Sequence, residues 1–67
     1  MISFKPLRKL LEKRGISFRQ LARDCNLTSN ATVALNNDQS VRLEVIVTIC
    51  EYLDVPIEDV IKIKRKP

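Results

Sequence analysis

Few side chains in this sequence could react with a substrate or bind a metal ion. Its 67 residues include no histidine, the commonest general base and metal ligand, and one glycine, too few for a glycine-rich phosphate-binding loop. Cys25 and Cys50 are too few and too far apart for a zinc site. We therefore expect no catalytic site, no metal and no cofactor, and a protein that is not an enzyme.

The two cysteines also indicate the cellular compartment of the protein. Both fall at apolar positions of helical patterns, which favours small hydrophobic side chains in a reducing cytoplasm over a disulfide or a reactive thiol. Residues 1–11 lack the apolar run of a signal peptide, and no apolar stretch reaches 18 residues. The sequence thus predicts a cytoplasmic protein that neither enters nor crosses a membrane.

Basic side chains are the remaining binding groups, and they are unevenly distributed. The net charge is +4 and the pI is about 9.4, which favours an anionic partner such as nucleic acid or a membrane surface. Residues 1–23 carry seven basic and one acidic side chains, residues 24–59 carry one basic and seven acidic, and residues 60–67 carry four basic. The three blocks therefore have net charges of +6, −6 and +4.

Length and composition limit the fold. A chain that is 45% hydrophobic and 30% charged is expected to form one globular domain over 1–67, with a basic tail at 62–67 that either contacts an anionic partner or keeps the terminus soluble. Because so short a chain buries a small core, association with a partner would stabilise it.

Apolar spacing and cap residues predict an all-α bundle of about five short helices. The first helix is expected from about 4 to 14, with Ser3 as its cap and Gly15 as the left-handed residue that ends it. Ser17 predicts the start of a second helix, because its hydroxyl can accept from the amide of Gln20 in a capping box.

Similar signals continue along the chain. Asn26 tolerates the left-handed conformation and indicates a tight turn, and Thr28 is suited to cap a third helix over about 29–37. A strongly apolar fourth helix is expected over 43–53, and a short fifth helix over 57–61.

The fourth helix has two apolar stripes. At about 100° per residue, the predicted core stripe consists of Leu43, Ile46, Val47, Cys50 and Leu53. The second stripe consists of Val45, Ile49 and Tyr52. It either forms a dimer surface or is covered within the monomer. The alternating segment at 61–64 is either a fraying helix or a strand that pairs across a dimer. The candidate dimer residues are Val45, Ile49, Tyr52, Ile61 and Ile63.

One set of residues links the helices into a known pattern. These residues are Ile16-Ser17-x-x-Gln20-Leu21-Ala22, Asn26-Leu27-Thr28 at the turn, Leu35, and Leu43-x-x-Ile46-x-x-Ile49-Cys50-x-x-Leu53-x-Val55. With them the chain resembles, over nearly its whole length, the Cro/phage-repressor-type, XRE-like helix-turn-helix DNA-binding family. It departs from the family at Phe18, where a glutamine is common, at Thr32, where a branched aliphatic is common, and at Arg42, where a helix cap is common.

The resemblance implies a lambda-repressor-like domain whose third helix lies in the DNA major groove and whose second helix crosses the backbone. On the third helix, asparagine can pair with adenine, serine can donate or accept, and valine or alanine can touch a thymine methyl. The candidate DNA-binding residues there are Thr28, Ser29, Asn30, Val33, Ala34 and Asn37. Arg19 and Arg23 on the second helix are the candidate phosphate contacts.

The expected function is a sequence-specific transcriptional regulator, a repressor, that binds a palindromic operator in double-stranded DNA as a homodimer and so becomes nucleoid-associated. The alternative is an antitoxin-like protein-interaction module that binds a partner protein through the fourth helix and the tail. A peripheral membrane role for the first helix is disfavoured, because its leucines are needed for the core.

Overall fold

The computed structural model describes residues 1–65, and within them four α-helices pack around one core. The helices are α1 (Lys5–Arg14), α2 (Phe18–Asp24), α3 (Ser29–Asn36) and α4 (Leu43–Leu53). A 3-10 turn follows at Ile57–Asp59, and the strands β1 (Ile2–Ser3) and β2 (Lys62–Ile63) form an antiparallel pair. The predicted helical fold is confirmed, with one 3-10 turn in place of the fifth helix.

Three of the predicted helix boundaries rest on the expected residues. The hydroxyl of Ser17 accepts from the amide of Gln20 at 3.0 Å, and that of Thr28 accepts from the amide of Ala31 at 3.1 Å. Gly15 ends α1 with a φ of 69°. These caps depend only on neighbours in sequence.

The first helix begins differently from the prediction. Its N-cap is Phe4, whose side chain makes no capping hydrogen bond, and Pro6 lies in the first turn. The hydroxyl of Ser3 still accepts from the amide of Lys5, at 3.2 Å, although Ser3 itself belongs to β1. The start of α1 is therefore one residue later than predicted.

The C-terminal segment is a strand that pairs within the chain. Ile63 lies opposite Ile2 and Lys62 opposite Ser3, and the amide of Lys64 donates to Met1 O at 2.8 Å. Within residues 1–65 the alternating pattern thus belongs to a two-stranded ribbon. Of the predicted tail at 62–67, residues 66 and 67 lie outside the described part.

The core draws side chains from every helix. Its buried members are Phe4, Leu7, Leu11, Leu21, Leu35, Ile46, Ile49, Leu53 and Val60. Burial of an aliphatic or aromatic side chain contributes about 1.5–3 kcal/mol. Packing against this cluster therefore sets the orientation of each helix.

The buried face of α4 differs from the prediction. Leu43 is 76% exposed and Val47 53% exposed, whereas Ile46, Ile49 and Leu53 are buried. The helix is apolar around most of its circumference, so periodicity alone could not select the face that meets the core. The placement of Leu43 and Val47 in the core was wrong. Of the two alternatives for the second stripe, cover within the monomer holds for Ile49, which is completely buried.

A half-buried ion pair joins the loop after α3 to the start of α1. Asp38, with a φ of 56°, accepts from the amide of Phe4 at 2.8 Å and from Arg8 Nη1 at 3.0 Å. Arg8 Nη1 also lies 3.4 Å from Leu35 O. The hydrogen bond from Arg8, followed by that from the Phe4 amide, lowers the pKa of Asp38.

We expect Asp38→Asn to reduce the stability of the protein near neutral pH. The stability of the variant should also fall less steeply as the pH is lowered. A lowered folded-state pKa contributes stability above the unfolded value of about 3.9, and that stability is lost as the pH falls through the folded pKa. The measurement is the thermal unfolding midpoint between about pH 7 and pH 2.5.

Asp54→Asn is the matched control, because Asp54 also has a φ of 56° and asparagine tolerates that conformation. Asp54 forms no ion pair within residues 1–65. Identical acid profiles for the two variants would contradict the role given to Asp38.

Candidate nucleic-acid interface

The helices α2 and α3 are joined by a turn that sets their relative orientation. Asn26 has a φ of 55°, as predicted, and the amide of Leu27 donates to Ala22 O at 2.8 Å. Leu21 on α2 and Leu35 on α3 are both fully buried in the shared core. The turn and these two leucines together hold α2 and α3 as a helix-turn-helix unit.

One face of α3 is exposed, polar and uncharged. Ser29, Asn30 and Asn37 are exposed, and Val33 is 54% exposed. The structure also adds Asn36, which the sequence reasoning missed. Asn36 follows Ser29 and Val33 at the i, i+4, i+7 spacing of one helix face, so its position could have been recognised.

Ala34, one of the candidate DNA-binding residues, lies apart from the exposed polar face. Ala34 is only 9% exposed and, with Leu35, belongs to the buried side of α3. It lines a groove together with Val41 and Val45, so the start of α4 covers the flank on which the residue lies. A methyl group in that position supports α3 and is not presented on the polar face.

The asparagine amides on α3 differ in how they are bonded. Asn36 Nδ2 donates to Thr32 O at 3.2 Å, and Asn37 Nδ2 donates to Val33 O at 3.0 Å. Within residues 1–65 the side chain of Asn30 has no such internal bond. Asn30 therefore presents both its donor and its acceptor, the pair of groups that a bidentate contact with adenine requires.

The hydroxyl of Thr32, at a position where the family commonly has a branched aliphatic side chain, is bonded back to its own helix. It donates to Thr28 O at 3.1 Å, and the residue is half-buried. The bond satisfies the hydroxyl along the helix, which lets threonine occupy this position.

Basic side chains on α2 flank the polar face of α3. Arg19 and Arg23 are both exposed and lie four residues apart, on one side of α2. A groove between the helices is lined by Arg19 together with Ser29 and Val33. The structure therefore brings an exposed guanidinium next to the α3 face, an arrangement that can bind phosphate beside a base edge.

Arg23 has an acidic neighbour that is itself held by α4. Arg23 Nε lies 3.7 Å from Asp24 Oδ1, and the Tyr52 hydroxyl donates to Asp24 Oδ2 at 2.5 Å. This hydrogen bond is the main cause of the raised pKa of Tyr52. The contact, which sequence reasoning missed, ties the C-terminal end of α2 to α4.

The candidate dimer residues do not share one environment. Ile63 is 75% exposed and Tyr52 39% exposed, Val45 and Ile61 are half-buried, and Ile49 is fully buried. The hydroxyl of Tyr52 is already bonded within the chain.

The remaining chemistry of the described residues is sparse. Cys25 and Cys50 are free and half-buried, and desolvation raises the pKa of both thiols. Residues 1–65 hold no group of three histidine, cysteine or acidic side chains suited to a metal ion. No helix among them has both the length and the apolarity needed to cross a membrane.

This geometry defines a helix-turn-helix unit of the DNA-binding class. The sequence model of the Cro/C1-type HTH DNA-binding domain matches residues 6–66, and the chain belongs to that family. The crystal structure of the transcriptional regulator VanUg, form II, is similar, with a TM-score of 0.89 and 30% identity over 91% of this chain and 81% of that chain. No curated protein matches the sequence. The predicted family resemblance is confirmed.

The two sides of α3 should respond differently to truncation. Leu35→Ala is expected to lower the free energy of unfolding by about 2–5 kcal/mol, because it opens a cavity at a fully buried position. Val33→Ala should change it by no more than about 0.5 kcal/mol. Urea unfolding followed by circular dichroism measures both, and a similar loss in the two variants would contradict the assigned faces.

Proposed function

We propose that this chain is a sequence-specific DNA-binding transcriptional regulator that represses by occupying an operator. The observation that carries the proposal is the uncharged, exposed face of α3 beside the exposed Arg19 of α2. Membership of a DNA-binding family supports it, as does the likeness to VanUg, which is a transcriptional regulator.

In the proposed complex α3 enters the major groove and its exposed side chains read base edges. Asn30 pairs with adenine through its unbonded amide, Ser29 donates or accepts, and Val33 packs against a thymine methyl. Asn36 and Asn37 each keep a carbonyl oxygen free, since only their Nδ2 groups bond the helix. Neutral groups of this kind discriminate bases without adding affinity for every sequence.

The proposed backbone contacts lie around this face. Arg19 and Arg23 bind phosphates, and their charge supplies affinity that depends on salt concentration. Thr28 is exposed and its Oγ1 already accepts from the Ala31 amide, which leaves its hydroxyl proton available for a phosphate oxygen.

One copy of α3 spans only a half-site, so we propose a two-fold dimer on a palindromic operator. Half-sites in such operators are separated by one DNA turn, about 34 Å. The described chain measures 36 × 24 × 17 Å, so two copies can lie side by side at that spacing when one of the shorter dimensions runs along the DNA.

The second candidate function is an antitoxin-like module that binds a partner protein through α4 and the C-terminal segment. The exposure of Leu43 on α4 and Ile63 on β2 favours it. A distinct protein that copurifies with the chain in a defined ratio would support this alternative.

Selection of bound DNA from a random pool tests the proposed function directly. We expect enrichment of a palindrome whose half-sites lie one turn apart. Failure to enrich any sequence at low salt, with a correctly folded chain, would refute the proposal.

Asn30→Ala is expected to weaken binding to the selected site by about 1–3 kcal/mol and to leave binding to a scrambled duplex nearly unchanged. The measurement is a titration of both duplexes by fluorescence anisotropy. Gln39→Ala is the control, because Gln39 is an exposed amide outside α3. Equal losses on the two duplexes would remove Asn30 from base recognition.

Replacement of Arg19 and Arg23 by glutamine is expected to weaken binding to all sequences. The slope of log K against log salt concentration should become shallower by about 0.9 for each lost phosphate contact. Lys13→Gln, at an exposed position near the end of α1, serves as the charge control. An unchanged slope in the double variant would show that these arginines do not contact phosphate.

A further inference from the structure

The two-stranded ribbon of β1 and β2 lies beside the C-terminal end of α3. A groove between them is lined by Lys64, which follows β2, and by Asn37, the C-cap of α3, together with Asp38. The charge of Lys64 also acts on Asp38, where it adds to the lowered pKa that the hydrogen bond from Arg8 mainly causes. The fold therefore brings Lys64 close to α3, although the two are far apart in the sequence.

The position of Lys64 is set by backbone contacts. Its amide donates to Met1 O at 2.8 Å, which continues the pairing of β1 with β2. Directly after β1, the amide of Phe4 donates to Asp38 at 2.8 Å, and this bond joins the ribbon to the loop after α3. A lysine held in this way loses less conformational freedom on binding than a lysine on an unstructured tail.

Lys64 is the group in this groove that can bind an anion. Its side chain is exposed, and it forms no ion pair within residues 1–65. Asp38 is the one acidic residue among those that line the groove, and it already pairs with Arg8 at 3.0 Å. The positive charge of Lys64 is therefore not cancelled by this carboxylate. An ammonium group in such a place is suited to bind a phosphate.

Arg19 and Lys64 lie at opposite ends of α3. The groove that contains Arg19 is lined by Ser29 and Val33, in the N-terminal part of the helix. Lys64 is instead next to Asn37 at the other end. With eight residues at about 1.5 Å each, α3 is about 12 Å long, about the width of the DNA major groove. A helix of this length in the groove brings groups beyond its two ends near the two phosphate backbones that border the groove.

We propose that Lys64 binds a phosphate of the DNA backbone on the side of the major groove opposite to the backbone that Arg19 contacts. The blocks of the sequence with net charges of +6 and +4 then each supply a contact to one of the two backbones. This inference rests on the proposed DNA binding and adds to it the contact that the ribbon provides. The contact does not depend on base sequence, because it involves phosphate alone.

Lys64→Gln should weaken binding to the selected and the scrambled duplex alike. The slope of log K against log salt concentration should become shallower by about 0.9, which corresponds to binding about tenfold weaker at about 50 mM salt. Lys64→Arg should keep the original slope, because it keeps the charge. Fluorescence anisotropy titrations at several salt concentrations measure both. The circular dichroism spectra of the two variants should match that of the unaltered chain, since Lys64 is exposed.

Lys62→Gln is the matched control. Lys62 is an exposed lysine on β2, but it lies opposite Ser3 and does not line the groove. We expect its slope to stay within about 0.3 of the original, because a charge that contacts no phosphate releases no counterion from the DNA.

Neutral methylphosphonate linkages, placed one at a time in the selected duplex, test which backbone each residue contacts. A linkage at the phosphate bound by Lys64 should weaken binding of the unaltered chain about tenfold, and binding of Lys64→Gln by less than about twofold. The linkage at the phosphate bound by Arg19 should show the same relation with Arg19→Gln. The two linkages should lie on opposite sides of the major groove.

Three results would overturn the proposal: an unchanged slope for Lys64→Gln, an equal change for Lys62→Gln, or linkages for Lys64 and Arg19 on the same backbone. The proposed function can fail separately. A chain that binds every duplex equally and still shows the effect of Lys64→Gln would refute sequence-specific regulation and leave this contact in place. A chain that binds no duplex at low salt would overturn both.

Discussion

A single small core limits everything else in this molecule. Nine buried side chains, drawn from all four helices and from the segments before α1 and after the 3-10 turn, supply most of the burial. Each helix can turn only one face toward so small a cluster. The faces left over are the ones that carry binding chemistry, because α3 turns a polar face outward and α4 turns part of its apolar surface outward.

The core alone does not determine where the chain segments meet, and two polar contacts add that information. Asp38 joins the loop after α3 to Phe4 and Arg8, and a guanidinium hydrogen bond from Arg14 to Leu53 O joins the ends of α1 and α4. Both contacts involve backbone groups, so they fix segments relative to one another more narrowly than hydrophobic packing does. Asp38 lies two residues after α3, so its contact ties the C-terminal end of that helix to the start of α1.

Contacts between neighbours in sequence could be predicted, whereas contacts between distant residues could not. Ser17, Asn26 and Thr28 act on residues at most three or four positions away, and the sequence predicted all three. Ile2 pairs with Ile63, and Arg8 meets Asp38, only after the whole chain has folded. The alternating pattern allowed a strand at 61–64, but local patterns contain no information about distant partners. The partner of that strand, the ion pair and the buried face of α4 could therefore not be derived from them.

The same distinction applies to the candidate interface. The exposed polar positions of α3 follow from helical geometry, which also predicts Asn36, whereas the burial of Ala34 depends on where α4 lies. Tyr52 reaching Asp24 is likewise a long-range contact. Sequence reasoning therefore identified α3 and most of its exposed face. The positions of Ala34 and Tyr52 at the edge of the interface could be known only from the fold.

The acidic segment around α3 raises a difficulty for any complex with DNA, because carboxylates near phosphates repel them. Asp24 and Asp38, the acids that flank α3 in sequence, are both engaged with donors: Asp24 with Tyr52 and Asp38 with Arg8 and a backbone amide. Donors on these two carboxylates reduce their repulsion of a phosphate. A third acid, Glu44, lines a groove together with Asn30 and Arg42, so the one basic residue of the −6 segment lies in the same groove. The other four acids lie in the C-terminal half of α4 or beyond it. The −6 segment can therefore contain the proposed reading helix because each of the acids near α3 is accompanied by a donor or a basic side chain.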